Sequence, residues 1–278
     1  MDDGRVERPK LVASDVDGTL LDPMERITER TAAVIDRVRA SGTPFVLVSG
    51  RPPRWIPPVA RAADLSGYAV CANGATVYDI GADEVVSVRG LDPVRLTDIT
   101  HAVQRVLPEI TVATERASVG ESDVEPFAWE PDFRNPWGNP NGIGGEENVR
   151  PRAEVLGRTA TKLLIRHQNM TSQEMAEAVD NVLPGELEIT YSSNHGLIEI
   201  SAAGVTKASG LAEVCDRLGV PAARVVAFGD MPNDVPMLRW AGHGVAMANA
   251  HADVLAVADE VTAPNAEDGV AQVLERWF

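Results

Sequence analysis

Leu11–Asp22 reads LVASDVDGTLLD, and its abrupt turn from apolar to acidic decides the fold. Leu11, Val12 and Ala13 have the pattern of a short buried strand, which Gly18 breaks into a loop. Asp15 and Asp17 stand one residue apart where that strand finishes. Two such carboxylates repel, and burying either without a partner raises its pKa or costs on the order of several kcal/mol. Something positive is therefore expected beside them. A hard divalent cation answers the need, because Mg²⁺ takes oxygen ligands and is commonly held by one or two carboxylates together with a substrate phosphate.

Working outward, ITERTAAVIDRVRASG (27–42) predicts a helix capped by Thr28, with Ile27, Ala32, Val34, Ile35 and Val38 on its apolar face and Gly42 ending it. TPFVLVSGR (43–51) then repeats the strand-then-glycine pattern. This is a β-α-β unit, whose crossover implies a parallel sheet and a right-handed connection. The pattern returns near the other end as a helix over KASGLAEVCDRLG (207–219), a strand RVVAFGD (224–230) and a helix over NDVPMLRWAG (233–242). A strand HGVAMANA (243–250), ADEVTAP (258–264) and a last helix, EDGVAQVLERWF (267–278), follow. Open parallel sheets bind ligands at the carboxyl ends of their strands, so Asp15, Ser49 and Asp230 are expected at one edge.

The middle of the chain differs. YAVCANGATVYD (68–79) carries Asn73–Gly74, a hairpin signal in which both are turn residues. Beyond it come helix patterns at DPVRLTDITHAVQRVLP (92–108) and SQEMAEAVDNVLP (172–184), and strand patterns at ITVATER, ATKLLIRH, LEITYSS and GLIEIS. The expectation is an α+β domain, residues 83–197, inserted into a discontinuous core of residues 1–82 and 198–278. Residues 121–150 read as a long loop in which Trp129 and Trp137 serve as anchors.

The strand ends carry the chemistry. Asp15 can act as a nucleophile and Asp17 as the acid that protonates a leaving oxygen and then activates water. Asp230 offers a carboxylate at a second strand end, with Asp234 four residues later. Charge that builds on a transferring phosphoryl group needs surrounding donors, which Lys207, the Ser49 hydroxyl and the Gly50 amide can supply. A calcium loop fails on the same residues, since DVDGTLLDPMER has its glycine too early and Arg26 at its twelfth position.

DVDGTLL, VLVSGR, VTKASGL and FGDMPNDVPML, in that order, resemble the four signature motifs of the haloacid dehalogenase superfamily. GVAMANA and ADEVTAPNAEDGVA are similar to the C-terminal segment of its Cof-type phosphatases. The resemblance implies a Rossmann-like core with an inserted α+β cap of the C2 type, mobile and selective for the leaving group. It implies Asp15 as nucleophile, Asp17 as general acid/base, and Ser49, Gly50, Lys207 and Asn233 as phosphate-binding groups. Mg²⁺ would be held by Asp15, Asp17 through its backbone carbonyl, and Asp230, with Asp234 in or just outside the ligand set. Ser49 stands where threonine is frequent, which keeps the hydroxyl, and Met231 stands where small or polar residues are common. The expected activity is hydrolysis of small phosphorylated metabolites, sugar phosphates first, through an aspartyl-phosphate intermediate. A phosphomutase of the phosphomannomutase type and a phosphometabolite-binding module without turnover are the alternatives.

The totals agree with this. A chain of 278 residues with 44% hydrophobic composition can build two domains with real cores. A formal charge of −16 repels nucleic acid and anionic membrane surfaces, so an anionic substrate needs a local positive site. Cys71 and Cys215 are too few and too scattered for a disulfide framework or a metal cluster, and the five histidines show no ligand spacing. The N-terminus lacks an apolar leader, so the expectation is a cytoplasmic monomer or homodimer acting on a small molecule.

Overall fold

The computed structural model describes residues 7–116, 126–133, 148–191 and 194–278. It divides into two compact units, Met1–Val86 with Thr206–Phe278, and Ser87–Val205.

The first unit begins with β1 (Leu11–Ser14), α1 (Glu29–Ala40), β2 (Phe45–Val48), α2 (Ile56–Ala62), β3 (Tyr68–Cys71), β4 (Thr76–Asp79) and β5 (Glu84–Val88). It resumes with α6 (Lys207–Leu218), β11 (Val225–Gly229), α7 (Val235–Trp240), β12 (His243–Ala246), α8 (Ala252–Leu255), β13 (Glu260–Val261) and α9 (Gly269–Leu274). The strands run in the order β13-β12-β11-β1-β2-β3-β4-β5. From β13 to β3 every neighbouring pair is parallel.

Local chemistry accounts for these boundaries. The Thr28 hydroxyl accepts the Thr31 amide at 3.1 Å and starts α1, and the chain leaves that helix through Gly42 at φ +77°. The central strands are apolar without alternation because both faces are covered. Val12, Leu47, Val226 and Phe228 join one core cluster, while Leu11, Ala13, Val46 and Ala227 join the cluster on the other face. Each of the valine, leucine and phenylalanine side chains among them contributes about 1.5–3 kcal/mol by leaving water.

The second unit holds α3 (Pro93–Val106), β6 (Thr111–Arg116), β7 (Phe127–Trp129), α4 (Arg152–Val155), β8 (Ala160–Arg166), α5 (Ser172–Val182), β9 (Leu187–Thr190) and β10 (Leu197–Ala202). Its strands form an antiparallel sheet in the order β7-β6-β8-β10-β9. Helices α3 and α5 bury Leu96, Ile99, Val103, Met175 and Val179 against one face of that sheet. Trp129, Phe127 and Phe133 pack with Ala113, Leu164 and Leu197 in a separate cluster.

Three sequence expectations need correction. The units part at 86/87 and 205/206, later than the expected 82/83 and 197/198. At the first, EVVSV extends the core sheet as β5 and the boundary falls within that strand; at the second, β10 pairs with both β8 and β9 and so belongs to the inserted sheet. The expected loop 121–150 contains a strand, β7, and Trp129 is a buried core residue whose ring centroid lies 5.3 Å from that of Phe127, the two planes tilted by 44°. Trp137 lies outside the described residues. Cys71 and Cys215 are both free and buried. Among the described residues, no helix is long and apolar enough to cross a membrane.

Candidate active site

The carboxyl ends of β1, β2 and β11 and the first residue of α6 place Asp15, Ser49, Asp230, Asp234 and Lys207 together, all buried. Asp15 follows β1 directly, its backbone amide donating to the Phe228 carbonyl at 3.0 Å, so the β1–β11 pairing fixes where its side chain begins. Lys207 opens α6, whose start is set by a capping box between Thr206 and Ser209. Its ammonium donates to Asp15 Oδ1 and to Asp234 Oδ1, each at 2.6 Å, and the side chain is only 2% exposed.

Asp234 accepts the backbone amides of Asp230 at 3.0 Å and Met231 at 2.9 Å on its other oxygen. Both of its oxygens are thus engaged in holding the loop after β11. Asp230 accepts the Thr19 hydroxyl at 2.8 Å. Gly18 lies beneath it at φ +77°, where a Cβ would come within 2.4 Å of Asp230 Oδ2. The glycine of DVDGT is therefore required by both backbone geometry and space.

Among the described residues, Asp15, Asp230 and Asp234 form a group whose carboxylate oxygens lie within 4.8 Å of one another. An all-oxygen donor set with three acids against one ammonium suits a hard divalent cation. Burial pushes the Asp15 carboxyl well above its ordinary range; Lys207 opposes that shift, while Asp234 and Asp230 add to it. Burial likewise lifts Asp230 to about 6, against the pull of the Thr19 hydrogen bond. Burial works against the Lys207 charge, but Asp15 and Asp234 outweigh it and hold the ammonium protonated.

At the exposed side of this cluster, Arg51 Nε donates to Asp17 Oδ2 at 2.9 Å and Nη2 to Oδ1 at 2.5 Å. Ser49 Oγ accepts the Arg51 amide at 3.1 Å, which shapes the turn containing Gly50. Asn233 donates from Nδ2 to Asn73 Oδ1 at 3.0 Å. Every residue singled out in the four motifs thus lies on loops at this sheet edge or on the first turn of α6. Sequence reasoning missed three partners. Thr19 stood inside the quoted motif and signalled nothing by itself, Arg51 read as a guanidinium just past Ser49 suited to a surface ion pair but with no partner named, and Asn73 read as a turn.

The family profile of haloacid dehalogenase-like hydrolases matches residues 12–274. The chain is 31% identical over 270 residues to a putative phosphatase of Haemophilus influenzae, covering 97% of this chain and 98% of that one. It is also 31% identical to the 5-amino-6-(5-phospho-D-ribitylamino)uracil phosphatase YitU of Bacillus subtilis, covering 98% of each. The solved structure of the HAD subclass IIB sugar phosphatase BT4131 superposes with a TM-score of 0.79 at 23% identity, covering 96% of this chain and 98% of that one.

Proposed function

The chain belongs to the haloacid dehalogenase superfamily as a Cof-type phosphatase, and on that premise we propose that it hydrolyses small phosphorylated metabolites, sugar phosphates foremost, through an aspartyl-phosphate at Asp15 with Mg²⁺. The observation that carries this is the buried Asp15–Lys207–Asp234 bridge beside Asp230, which assembles a nucleophile, a fixed cation and a metal-compatible acid set at one sheet edge.

Lys207 holds Asp15 by Oδ1 and so aims the carboxylate for in-line attack on phosphorus. Ser49, the Gly50 amide, Asn233 and the Lys207 ammonium grip the non-bridging oxygens as charge develops on them. The bond from phosphorus to the ester oxygen breaks as the bond to Asp15 forms, and Asp17 passes its proton to the departing alkoxide. Asp17 then takes a proton from water, which attacks phosphorus and returns Asp15 to its carboxylate. Asp15, the Asp17 carbonyl and Asp230 would hold Mg²⁺, which when bound neutralises the acid cluster and the phosphate charge. Asp234 orders the loop bearing Asp230, a role that fits its two engaged oxygens. To the second unit, Ser87–Val205, we assign selection of the leaving group.

YitU is named for a phosphorylated ribityl compound, BT4131 for sugar phosphates and a further relative for pyridoxal phosphate. All are phosphate monoesters with an uncharged alcohol at the leaving position, which supports that class here. The test is phosphate release from a panel of phosphorylated metabolites with Mg²⁺ and with chelator, ranked by kcat/KM. Release confined to Mg²⁺ and strongest with sugar or polyol phosphates supports the proposal; isomer formation without free phosphate would refute it.

A further inference from the structure

The hairpin between β3 and β4 forms as the Asn73–Gly74 signal predicts, with Cys71 opposite Thr76. Its loop, however, is bent far more than joining two strands requires. Ala72, Asn73 and Gly74 all take positive φ, at +49°, +57° and +101°. Loops of this length most often close around a type I turn, and an alanine in the left-handed region brings its Cβ too close to the following carbonyl. Strain of this kind persists where the surroundings over-determine it.

The surroundings here are three of the four motif loops. The Asn73 amide donates to the Ser49 carbonyl at 3.0 Å and the Ala72 amide to the Arg51 carbonyl at 2.9 Å. Asn73 Oδ1 accepts the Asn233 side-chain amide, and a Cβ on Gly50 would come within 3.2 Å of that same oxygen. On the far side, Gly74 lies so close to the residue preceding Lys207 that a Cβ would meet the Thr206 carbonyl oxygen at 2.0 Å. Asn73 itself is 6% exposed, which a plain turn residue would not be.

From these contacts we propose that Asn73 is a positioning residue of the phosphoryl site. Its left-handed backbone registers the Ser49–Arg51 turn, and its side chain fixes the rotamer of Asn233 so that the remaining amide hydrogen of Asn233 faces the phosphoryl oxygens. The proposal rests on the reading above that Asn233 contacts the phosphoryl group. Asparagine suits the position because it tolerates the left-handed region and carries an acceptor one bond from its branch.

The experiment is a double-mutant cycle of Asn73→Gly and Asn233→Ala, read by the inhibition constant of inorganic phosphate, by kcat and KM, and by thermal stability. Asn73→Gly keeps the left-handed backbone free of penalty and removes only the side chain. The expected result is phosphate affinity weakened about tenfold by Asn73→Gly, the equivalent of one hydrogen bond, with no further loss when Asn233→Ala is added. Asn73→Gly within twofold of wild type, or losses that multiply independently, overturns the proposal while leaving Asn233 in place. Asn233→Ala without effect on phosphate affinity removes the reading beneath it. A second readout leaves position 73 unchanged: in ¹⁵N spectra of the wild-type protein, the Asn233 side-chain amide, identified by its loss in Asn233→Ala, and the Asn73 amide shift together as phosphate is added. An Asn73 amide that stays still while that of Asn233 moves also overturns it.

Discussion

Lys207 Nζ stands 2.6 Å from a carboxylate oxygen of Asp15 and 2.6 Å from one of Asp234, with all three side chains buried. The ammonium offsets acids that would otherwise repel, and in the proposed reaction it also receives a phosphoryl oxygen. Lys207→Met is expected to lower kcat/KM by about 10²–10³, in line with loss of a buried charge-stabilising donor. It also strands two buried carboxylates, a loss of about 3–5 kcal/mol that thermal unfolding in chelator would register.

The second prediction concerns pH and metal. Asp230 is lifted from 3.8 to about 6 in the fold, chiefly by burial. Between those values the native state keeps a proton that the unfolded chain has released. The contribution of Asp230 to stability is thus present below the lower value and lost as pH rises through the upper one. Without metal, Asp230 is expected to lower stability across that window, and Asp230→Asn flattens the fall. The rise in melting temperature on adding Mg²⁺ is expected to be larger near about pH 7.5 than near about pH 5, because the cation binds the deprotonated acids.

Arg51 forks onto both oxygens of Asp17, and the pair is partly exposed at the site's rim. A bidentate guanidinium orients a carboxylate more firmly than a lysine would. Arg51→Lys is expected to lower kcat/KM about tenfold for alkyl phosphates, whose leaving oxygen needs a proton, and much less for p-nitrophenyl phosphate, whose leaving group does not. Equal losses on both substrates would show that Arg51 does not act through Asp17.

Gly18→Ala places a methyl group 2.4 Å from Asp230 Oδ2 at a positive φ. The expected outcome is a stability loss of about 2 kcal/mol or more, combining backbone strain with the clash. The concentration of Mg²⁺ needed for half-maximal activity should also rise. Thermal melts and a Mg²⁺ titration check both.

Much of the core and its motif loops was legible because each strand end breaks sharply, from LVAS into Asp15, from VLV into Ser49 and from VVAFG into Asp230. Helix starts were legible too, since Thr28 caps by a local rule. What stayed hidden depends on contacts distant in the chain. EVVSV is partly exposed and carries little periodic signal, so β5 passed for the start of the insert, and β10 could be assigned only once its neighbours β8 and β9 were known. The Arg51–Asp17 fork joins two loops, and the burial of Asn73 follows from packing among three. Neither leaves a mark in local sequence.

The most direct test is to look for the covalent intermediate. In Asp17→Asn the transfer from p-nitrophenyl phosphate needs no acid, while hydrolysis lacks its base, so the phosphoenzyme should accumulate. Acid quenching followed by peptide mass analysis is expected to find one phosphoryl group on the peptide bearing Asp15, and none when Asp15→Asn is added. Burst release of p-nitrophenol with no label at Asp15, or label that persists in the double variant, would contradict the account.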